Sequence, residues 1–278
     1  MEARYGPVAS WTPQAGVGGP MQKWKRRLLG GLVVVVLGVP CALWALAAGL
    51  SKPRPVGQEG PGAQVLADRM ESSVELAAWS RTGAVSWTFA GRNTHLWDRQ
   101  RHLDRVQTGD RTTLIDLHAR DGRAWDGDVE LHGNARVEAV QDAWGQWAND
   151  SFWLNPVAKL HDDGVVLKRV ETADHGPGLL VEYASGGVTP GDAYLWHLDD
   201  TGRPVGWTMW AQILPIQGMW ASWAGWTQLS TGAWVATDHT LGPVSLQLTD
   251  VVGAETLAAL TGGDDPFLPI LGAAATSP

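Results

Sequence analysis

The chain has 278 residues, a net charge of −8, one cysteine and 17 tryptophans against three tyrosines and three phenylalanines. Five of the 21 basic residues and one of the 29 acidic residues precede residue 51, so the remainder carries a net charge of −12 and has no basic patch. This balance argues against a nucleic-acid partner. The single cysteine, Cys41, excludes an internal disulfide, so the core alone must stabilise the fold.

The first fifty residues differ in composition from the rest. Residues 1–27 are rich in Gly and Pro and end in the basic sequence MQKWKRR, and we predict that they form a disordered cytoplasmic region. Leu28–Leu50 follows, with 23 residues and no charge, which is long enough for a transmembrane helix. The basic flank predicts a cytoplasmic N-terminus and an extracytoplasmic, periplasmic C-terminal part.

The apolar segment has two interpretations. An uncleaved signal anchor would hold the exported part at the inner membrane, and the long region before the segment favours it. A signal peptide cut after Ala47, at the small-x-small sequence Ala45-Leu46-Ala47, would release a periplasmic or secreted protein. Lipidation of Cys41 is disfavoured, because Pro40 precedes the cysteine and apolar residues continue after it.

The exported part predicts one β-rich domain over residues 63–260. A Pro/Gly linker at 51–62 precedes it, and a tail with a composition typical of disorder follows at 261–278. Helical spacing of apolar residues predicts a first helix over 63–80.

Alternation with period two then predicts four strands, in AVSWTFA, NTHLWD, RHLDRVQ and RTTLIDLHA. A helix interrupts them over 134–149, where Val137, Val140, Trp144 and Trp147 are spaced 3, 4 and 3 apart. Seven more strands follow, at Val165–Glu171, Leu179–Ala184, Asp192–Leu198, Val205–Ala211, Met219–Leu229, Ala233–Thr240 and Val244–Thr249. A sheet of ten or eleven strands tends to curl into a barrel or to fold into two layers.

The tryptophans make the C-terminal strands apolar on both faces. In a strand over Met219–Leu229, Trp220 and Trp226 would face one side and Trp223 the other. A sheet that is apolar on both faces must bury both of them. The helices would bury one face, and a second sheet, a partner, a lipid or the bilayer surface would bury the other. Filling of the core by these side chains is the competing explanation.

No motif of catalysis or metal binding is present. The eight histidines form no H-x-H or HExxH pair, and no G-x-S-x-G sequence occurs. His161-Asp162-Asp163 lies beside a glycine, in a predicted turn, and Asp-Gly pairs are typical of hairpins. We therefore predict no catalytic residue, no metal ligand and no cofactor.

Several stretches carry a resemblance. DAYLWHLDDTGRPVGWTMW and GWTQLSTGAWVATDH form aromatic hairpins, GRNTHLWDRQRHLDRV lies near the start, and Asn149–Val165 reads NDSFWLNPVAKLHDDGV. Over roughly residues 63–250 this pattern is similar to the LolA/LppX-like carriers of lipoproteins in bacterial envelopes, and most of all to an uncharacterised exported branch. The resemblance implies a half-closed antiparallel barrel with helices in its open side and a concavity for acyl chains. A retained anchor would depart from a soluble carrier, because a tethered protein does not shuttle freely.

The sequence thus predicts a mainly β (α+β) fold, an incomplete antiparallel barrel of about ten strands behind an N-terminal transmembrane or signal helix. The leading function is a membrane-tethered, extracytoplasmic binding protein for a lipid or lipidated chain. The alternatives are a structural or assembly protein of the envelope with a self-filled barrel and a protein partner, or a hydrolase or sugar-binding module. The predicted ligand-binding residues are Trp87, Trp97, Trp153, Trp207, Trp210, Trp220, Trp223 and Trp226.

Overall fold

The computed structural model describes residues 49–173, 176–185 and 190–272. The predicted disordered region and nearly all of the predicted membrane segment therefore lie outside the described residues. Among the residues that are described, no helix is long and apolar enough to cross a membrane. The chain separates into Met1–Leu50 and Ser51–Pro278, and the second unit holds every strand of the described ranges.

The second unit is mainly β, as predicted. Thirteen antiparallel strands form one open sheet in the order β6-β5-β4-β3-β2-β1-β15-β14-β11-β10-β9-β8-β7, and β12 pairs with β13 in a separate hairpin. The strands are β1 (Ala84–Phe89), β2 (Asn93–Asp98), β3 (Leu103–Thr108), β4 (Arg111–Asp116), β5 (Asp121–Asp126), β6 (Val129–Glu130), β7 (Val165–Thr172), β8 (Gly176–Tyr183), β9 (Ala193–Leu198), β10 (Pro204–Trp210), β11 (Met219–Ser222), β12 (Thr227–Gln228), β13 (Trp234–Val235), β14 (Asp238–Leu241) and β15 (Val244–Ala254).

Five α-helices lie wholly within the described residues and accompany the strands. The helix predicted over 63–80 is divided into two, because Glu75 takes a left-handed conformation with φ of 54° that a continuous helix does not allow. The long third helix ends at a proline, which opens a 3-10 turn. The helices are α1 (Pro61–Ser73), α2 (Leu76–Arg81), α3 (Gly133–Leu154), α4 (Leu257–Thr261) and α5 (Leu268–Leu271), with the 3-10 turn at Pro156–Lys159.

Helices α1 and α3 pack on the same face of the sheet, here called the inner face. Alternate residues of β8–β11, among them Trp196 and Trp207, meet Leu66 and Met70 of α1. Toward the other end of the sheet, Trp87 of β1 packs in a second cluster with residues of α2 and α3. The inner face thus carries the main core.

The outer face of β1–β4 is covered by the C-terminal helices. Phe267 is fully buried and packs with Leu96, Leu103 and Leu114. The prediction of a disordered tail from residue 261 therefore differs from the structure, in which residues up to 272 belong to the domain. Phe267 docks the segment together with Ile270 of the same cluster and with Asp265, whose two carboxylate oxygens accept from Arg101 at 2.8 and 3.0 Å.

The outer face of the opposite half is crossed by the segment predicted to be a linker. Trp210 Nε1 donates to the carbonyl oxygen of Lys52 at 2.8 Å. Gln58 and Arg169 of β7 exchange two backbone hydrogen bonds of 2.8 and 2.9 Å. Residues 51–58 therefore lie along the sheet instead of spanning open solvent, and helix α1 starts at Pro61.

The strand predicted over Met219–Leu229 is interrupted. Gly225 has φ of 63°, and Ala224 bridges to Asp238 at this point. As a result β11 ends at Ser222, and Trp226 does not share a face with Trp220 as the unbroken strand would require.

Candidate functional site

A cleft of about 610 Å³ opens on the inner face, between the C-terminal half of α3, residues 159–163 and strands β8–β10. Its walls are mainly aromatic and its rim is polar. The lining residues are Trp144, Trp147, Ala148, Asn149, Ser151, Phe152, Trp153, Lys159, Asp162, Asp163, Tyr183, Ser185, Asp192, Tyr194 and Trp207.

Phe152 organises the aromatic wall. Its ring centroid lies 5.1 Å from that of Tyr194, 5.6 Å from Tyr183 and 5.7 Å from Trp207. Tyr183, Tyr194 and Trp207 reach the same wall because they lie on the inner face of three adjacent strands. Such edge-to-face and stacked pairs fix the rings and leave an apolar surface beside them.

Polar atoms of this wall lack partners. Among the described residues, the hydroxyls of Ser151 and Tyr183 and the indole N–H groups of Trp147 and Trp207 are buried and form no hydrogen bond. A buried donor without an acceptor is costly, so native proteins rarely leave several together. These four donors lie inside the wall of the cleft and are not exposed at its surface.

The mouth of the cleft has more acidic than basic side chains. Asp162 lies beside Lys159, with Nζ to Oδ2 at 3.7 Å, and Asp163 is the next residue. Burial, and secondly the charge of Asp162, raise the pKa of Tyr183 well above its ordinary value. Burial and Asp192 do the same to the pKa of Tyr194, so the potential at both hydroxyls opposes a negative charge.

A buried ionic cluster, the His95 cluster, lies behind the cleft and comprises Asn93, His95, Asp104 and Asp150. His95 Nδ1 is 2.7 Å from Asp104 Oδ2, and its Nε2 is 3.0 Å from Asp150 Oδ2. Asn93 Nδ2 donates to the same Asp150 oxygen at 2.9 Å. Trp87 stacks on the imidazole with centroids 4.3 Å apart. The cluster ties α3 to β2 and β3.

His95 holds its proton firmly within this cluster. Burial by itself would lower the pKa of His95, but Asp104 and Asp150 outweigh it and raise that pKa to about 9. Burial raises the pKa of Asp104 as well. At neutral pH the imidazolium is therefore charged and donates to both aspartates.

Of the eight predicted tryptophans, Trp153 and Trp207 line the cleft. Trp223 lies behind them, stacked on Trp153 at 6.2 Å and 4.9 Å from Trp207. Trp87 is fully buried on His95, and Trp97 contacts Trp147 edge-on at 5.4 Å without lining the cleft.

The other three tryptophans lie elsewhere. Trp210 and Trp220 project from the outer face, with Trp220 39% exposed. Trp226 contacts Trp223 at 6.3 Å, and the guanidinium of Arg203 lies 5.3 Å above its ring. The structure therefore brings two of the eight predicted residues into one site and spreads the others over the core and the outer face.

Sequence reasoning missed most of the aromatic wall. The sequence predicts Trp144 and Trp147 as part of a helical stripe but assigns neither to a site. Tyr194 shares the inner face with Trp196, so the alternation of β9 did hold a signal for it. Nothing in the sequence near Tyr183 marks it, because it lies at the end of its strand.

No metal centre is found in the described part of the chain, where no three His, Cys, Asp or Glu residues converge in a way that would hold an ion. His161, a candidate base, is instead paired with Glu71, Nε2 to Oε1 at 2.6 Å.

The sequence matches no protein-family model, and no curated protein matches it.

Proposed function

We propose that the chain is an extracytoplasmic, membrane-tethered protein that binds a lipid or a lipidated chain of the bacterial envelope in this cleft. Residues 28–50 would anchor it in the inner membrane with its N-terminus in the cytoplasm, or be removed after Ala47. The open antiparallel sheet with helices on its inner face is the feature of the fold that supports an incomplete barrel.

The observation that carries the proposal is an aromatic cleft of about 610 Å³ with polar side chains at its rim. Ligand sites typically enclose 300–1,000 Å³, with mostly apolar walls and a few polar groups that orient the ligand. An acyl chain would cover the partly exposed rings of Phe152 and Trp153, and its head would lie at the polar rim.

A structural protein with a self-filled interior is the second candidate. The observation in its favour is that Trp87, Trp196 and Trp207 are fully buried, so much of the inner face is already filled by the chain itself. In this case the cleft would be a packing defect without a ligand, and a protein of the envelope would be the partner.

Native mass spectrometry of the purified full-length chain, followed by organic extraction, distinguishes lipid binding from a purely structural role. Binding predicts a reproducible added mass that extraction identifies as a lipid. Ala148 lines the cleft, whereas Ala135 is exposed on the same helix. Ala148→Phe should therefore lose the added mass, and Ala135→Phe should keep it.

An apo mass that persists after incubation with diacylglycerol and with an acylated peptide would overturn the proposal. Retention of lipid by Ala148→Phe would also contradict it, because the lipid would then lie outside the cleft.

A further inference from the structure

The loop between β10 and β11 has an exposed apolar tip. The loop, Gln212–Gln217, has the sequence QILPIQ, and its Ile213 side chain is 78% exposed. Pro215 is exposed as well, whereas Leu214 packs against the main core and fixes the loop to the domain. Residues 204–237 carry no charge, so nothing on the loop itself opposes contact with an apolar surface.

The side chain of Gln217 braces the loop from within. Its Nε2 donates to the carbonyl oxygens of Ala211 and Leu214 at 3.0 and 2.8 Å. The backbone N of Leu214 also donates to the carbonyl oxygen of Ala211, at 2.9 Å. These bonds restrict the backbone before any contact is made, so the apolar tip is presented at little further cost in conformational entropy.

Gln217 also joins the loop to the point where the chain enters the domain. Its backbone N donates to Ser51 Oγ at 2.9 Å, and its carbonyl oxygen accepts from the backbone N of Lys52 at 2.9 Å. The indole N–H of Trp210 holds the carbonyl oxygen of Lys52 in addition, at 2.8 Å. Ser51 directly follows the predicted membrane segment Leu28–Leu50 in the chain, so no free linker separates that segment from the loop.

We infer that the tip Ile213–Ile216 contacts the surface of the bilayer in which residues 28–50 are anchored. This assignment rests on the anchor of the proposed function and is independent of lipid binding in the cleft. Because the tether makes the contact intramolecular, two or three apolar side chains are enough to hold it, although they would bind a membrane weakly by themselves. Lys52, exposed beside the loop, adds a positive charge that anionic headgroups attract.

Contact at this loop also orients the cleft. The backbone N of Gln212 donates to Asp192 Oδ1 at 2.9 Å, and Asp192 is one of the residues that line the cleft. The loop and the cleft therefore adjoin, and a loop at the bilayer brings this side of the cleft toward the lipid.

The test places one fluorescent label on the loop of the full-length chain. In a Cys41→Ala background, Ile213→Cys is labelled with a nitrobenzoxadiazole dye, and the chain is reconstituted into vesicles of phosphatidylcholine with a minor share of phosphatidylglycerol. Phosphatidylcholine with a nitroxide near the headgroup should quench this label about twofold or more, because the tip lies at the boundary of headgroups and acyl chains. The control is Val129→Cys, an exposed apolar position (68%) on the edge strand β6 in the other half of the sheet, whose label should not be quenched.

A matched pair of charge variants tests whether apolar contact holds the loop at the bilayer. With the label on Pro215→Cys, Ile213→Asp should reduce the quenching about twofold or more, because a carboxylate resists leaving water. Val129→Asp adds the same charge in the other half of the sheet and should leave the quenching unchanged.

Flotation of the same samples on a density gradient separates the possible results. If the chain does not float with the vesicles, the anchor fails and the contact with it. If the chain floats but the label at Ile213 is not quenched, or is quenched no more than the label at Val129, the contact is overturned while the anchor stands. A label at Ile213 with blue-shifted emission that the nitroxide lipid does not quench would assign the loop to a second copy or another protein, and would also overturn the contact with the bilayer.

Discussion

Raising the pH from 6.5 to 9 should destabilise the domain through the His95 cluster. The pKa of His95 is about 9 in the folded chain, whereas an exposed histidine titrates near 6.5. Because the folded state holds this proton more firmly, the stabilisation is complete below about pH 6.5 and is lost as the pH rises through 9. The raised pKa of the Asp104 carboxyl also favours the protonated folded state.

The size of the loss in stability follows from the shift in the pKa of His95. A difference from 6.5 to about 9, at 1.36 kcal/mol per pH unit, corresponds to about 3 kcal/mol of the free energy of unfolding. Because the free energy of unfolding of a domain is only about 5–15 kcal/mol, a loss of this size should be easy to measure.

Urea unfolding followed by tryptophan fluorescence at pH 6, 7.5 and 9 measures the slope. His95→Gln should flatten it, since glutamine does not titrate, and His132→Gln should leave it unchanged, because that side chain is exposed. Removing the cation also leaves the buried Asp104 carboxylate without its charged partner and Asp150 with amide donors alone, which costs about 3–5 kcal/mol.

If His95→Gln does not fold, Asp104→Asn provides the same test. It removes the strongest contact that holds the proton on His95, so the alkaline loss should shrink. A wild-type stability that is constant or rises between pH 6.5 and 9 would refute the reasoning, as would an Asp104→Asn slope equal to that of the wild type.

Three further predictions concern stability. Burial lowers the pKa of His239 to about 4, so the stabilisation from its neutral side chain is complete above pH 6.5 and is lost as the pH falls through 4. Unfolding measured between pH 6.5 and 4 should show a loss of about 3 kcal/mol in the free energy of unfolding, and His239→Gln should remove this loss. Phe267→Ala should cost about 3–5 kcal/mol in urea unfolding, and the exposed Leu268→Ala less than about 0.5, whereas equal effects would contradict the docking of the C-terminal segment. Gly122→Ala would press a methyl group onto a backbone carbonyl of β4 and should lower the free energy of unfolding by about 2 kcal/mol or more, whereas Gly145→Ala, in open space on α3, should raise it by up to about 1 kcal/mol; the melting temperatures should shift in the same directions.

The regular part of the fold was readable from the sequence, because alternation and helical spacing are local. The stripe of Val137, Val140, Trp144 and Trp147 located α3, although Val137 proves 42% exposed. The breaks were not readable, since Glu75 and Gly225 depart from regular structure through backbone conformations that tertiary contacts select.

The candidate site was readable only in part. Trp153 and Trp207 were predicted as ligand contacts, but a count of tryptophans does not distinguish a wall of the cleft from the core behind it. The His95 cluster was invisible, because Asp104 and Asp150 belong to other elements and a polar residue in a strand suggests a solvated face.

The position of the cleft depends on how α3 is rotated, and the His95 cluster determines that rotation. Successive helical residues are about 100° apart, so the direction of Asp150 determines where Ser151, Phe152 and Trp153 point. With Asp150 on His95 and Asn93, Phe152 meets the rings of β8–β10 and Trp153 packs on Trp207. A helix rotated by one residue would place Asn149 or Ser151 against His95 and separate the Asp150 carboxylate from His95 and Asn93, at a cost of several kcal/mol. The ionic cluster thus contributes to the specificity of the fold, and the shape of the cleft is one result of it.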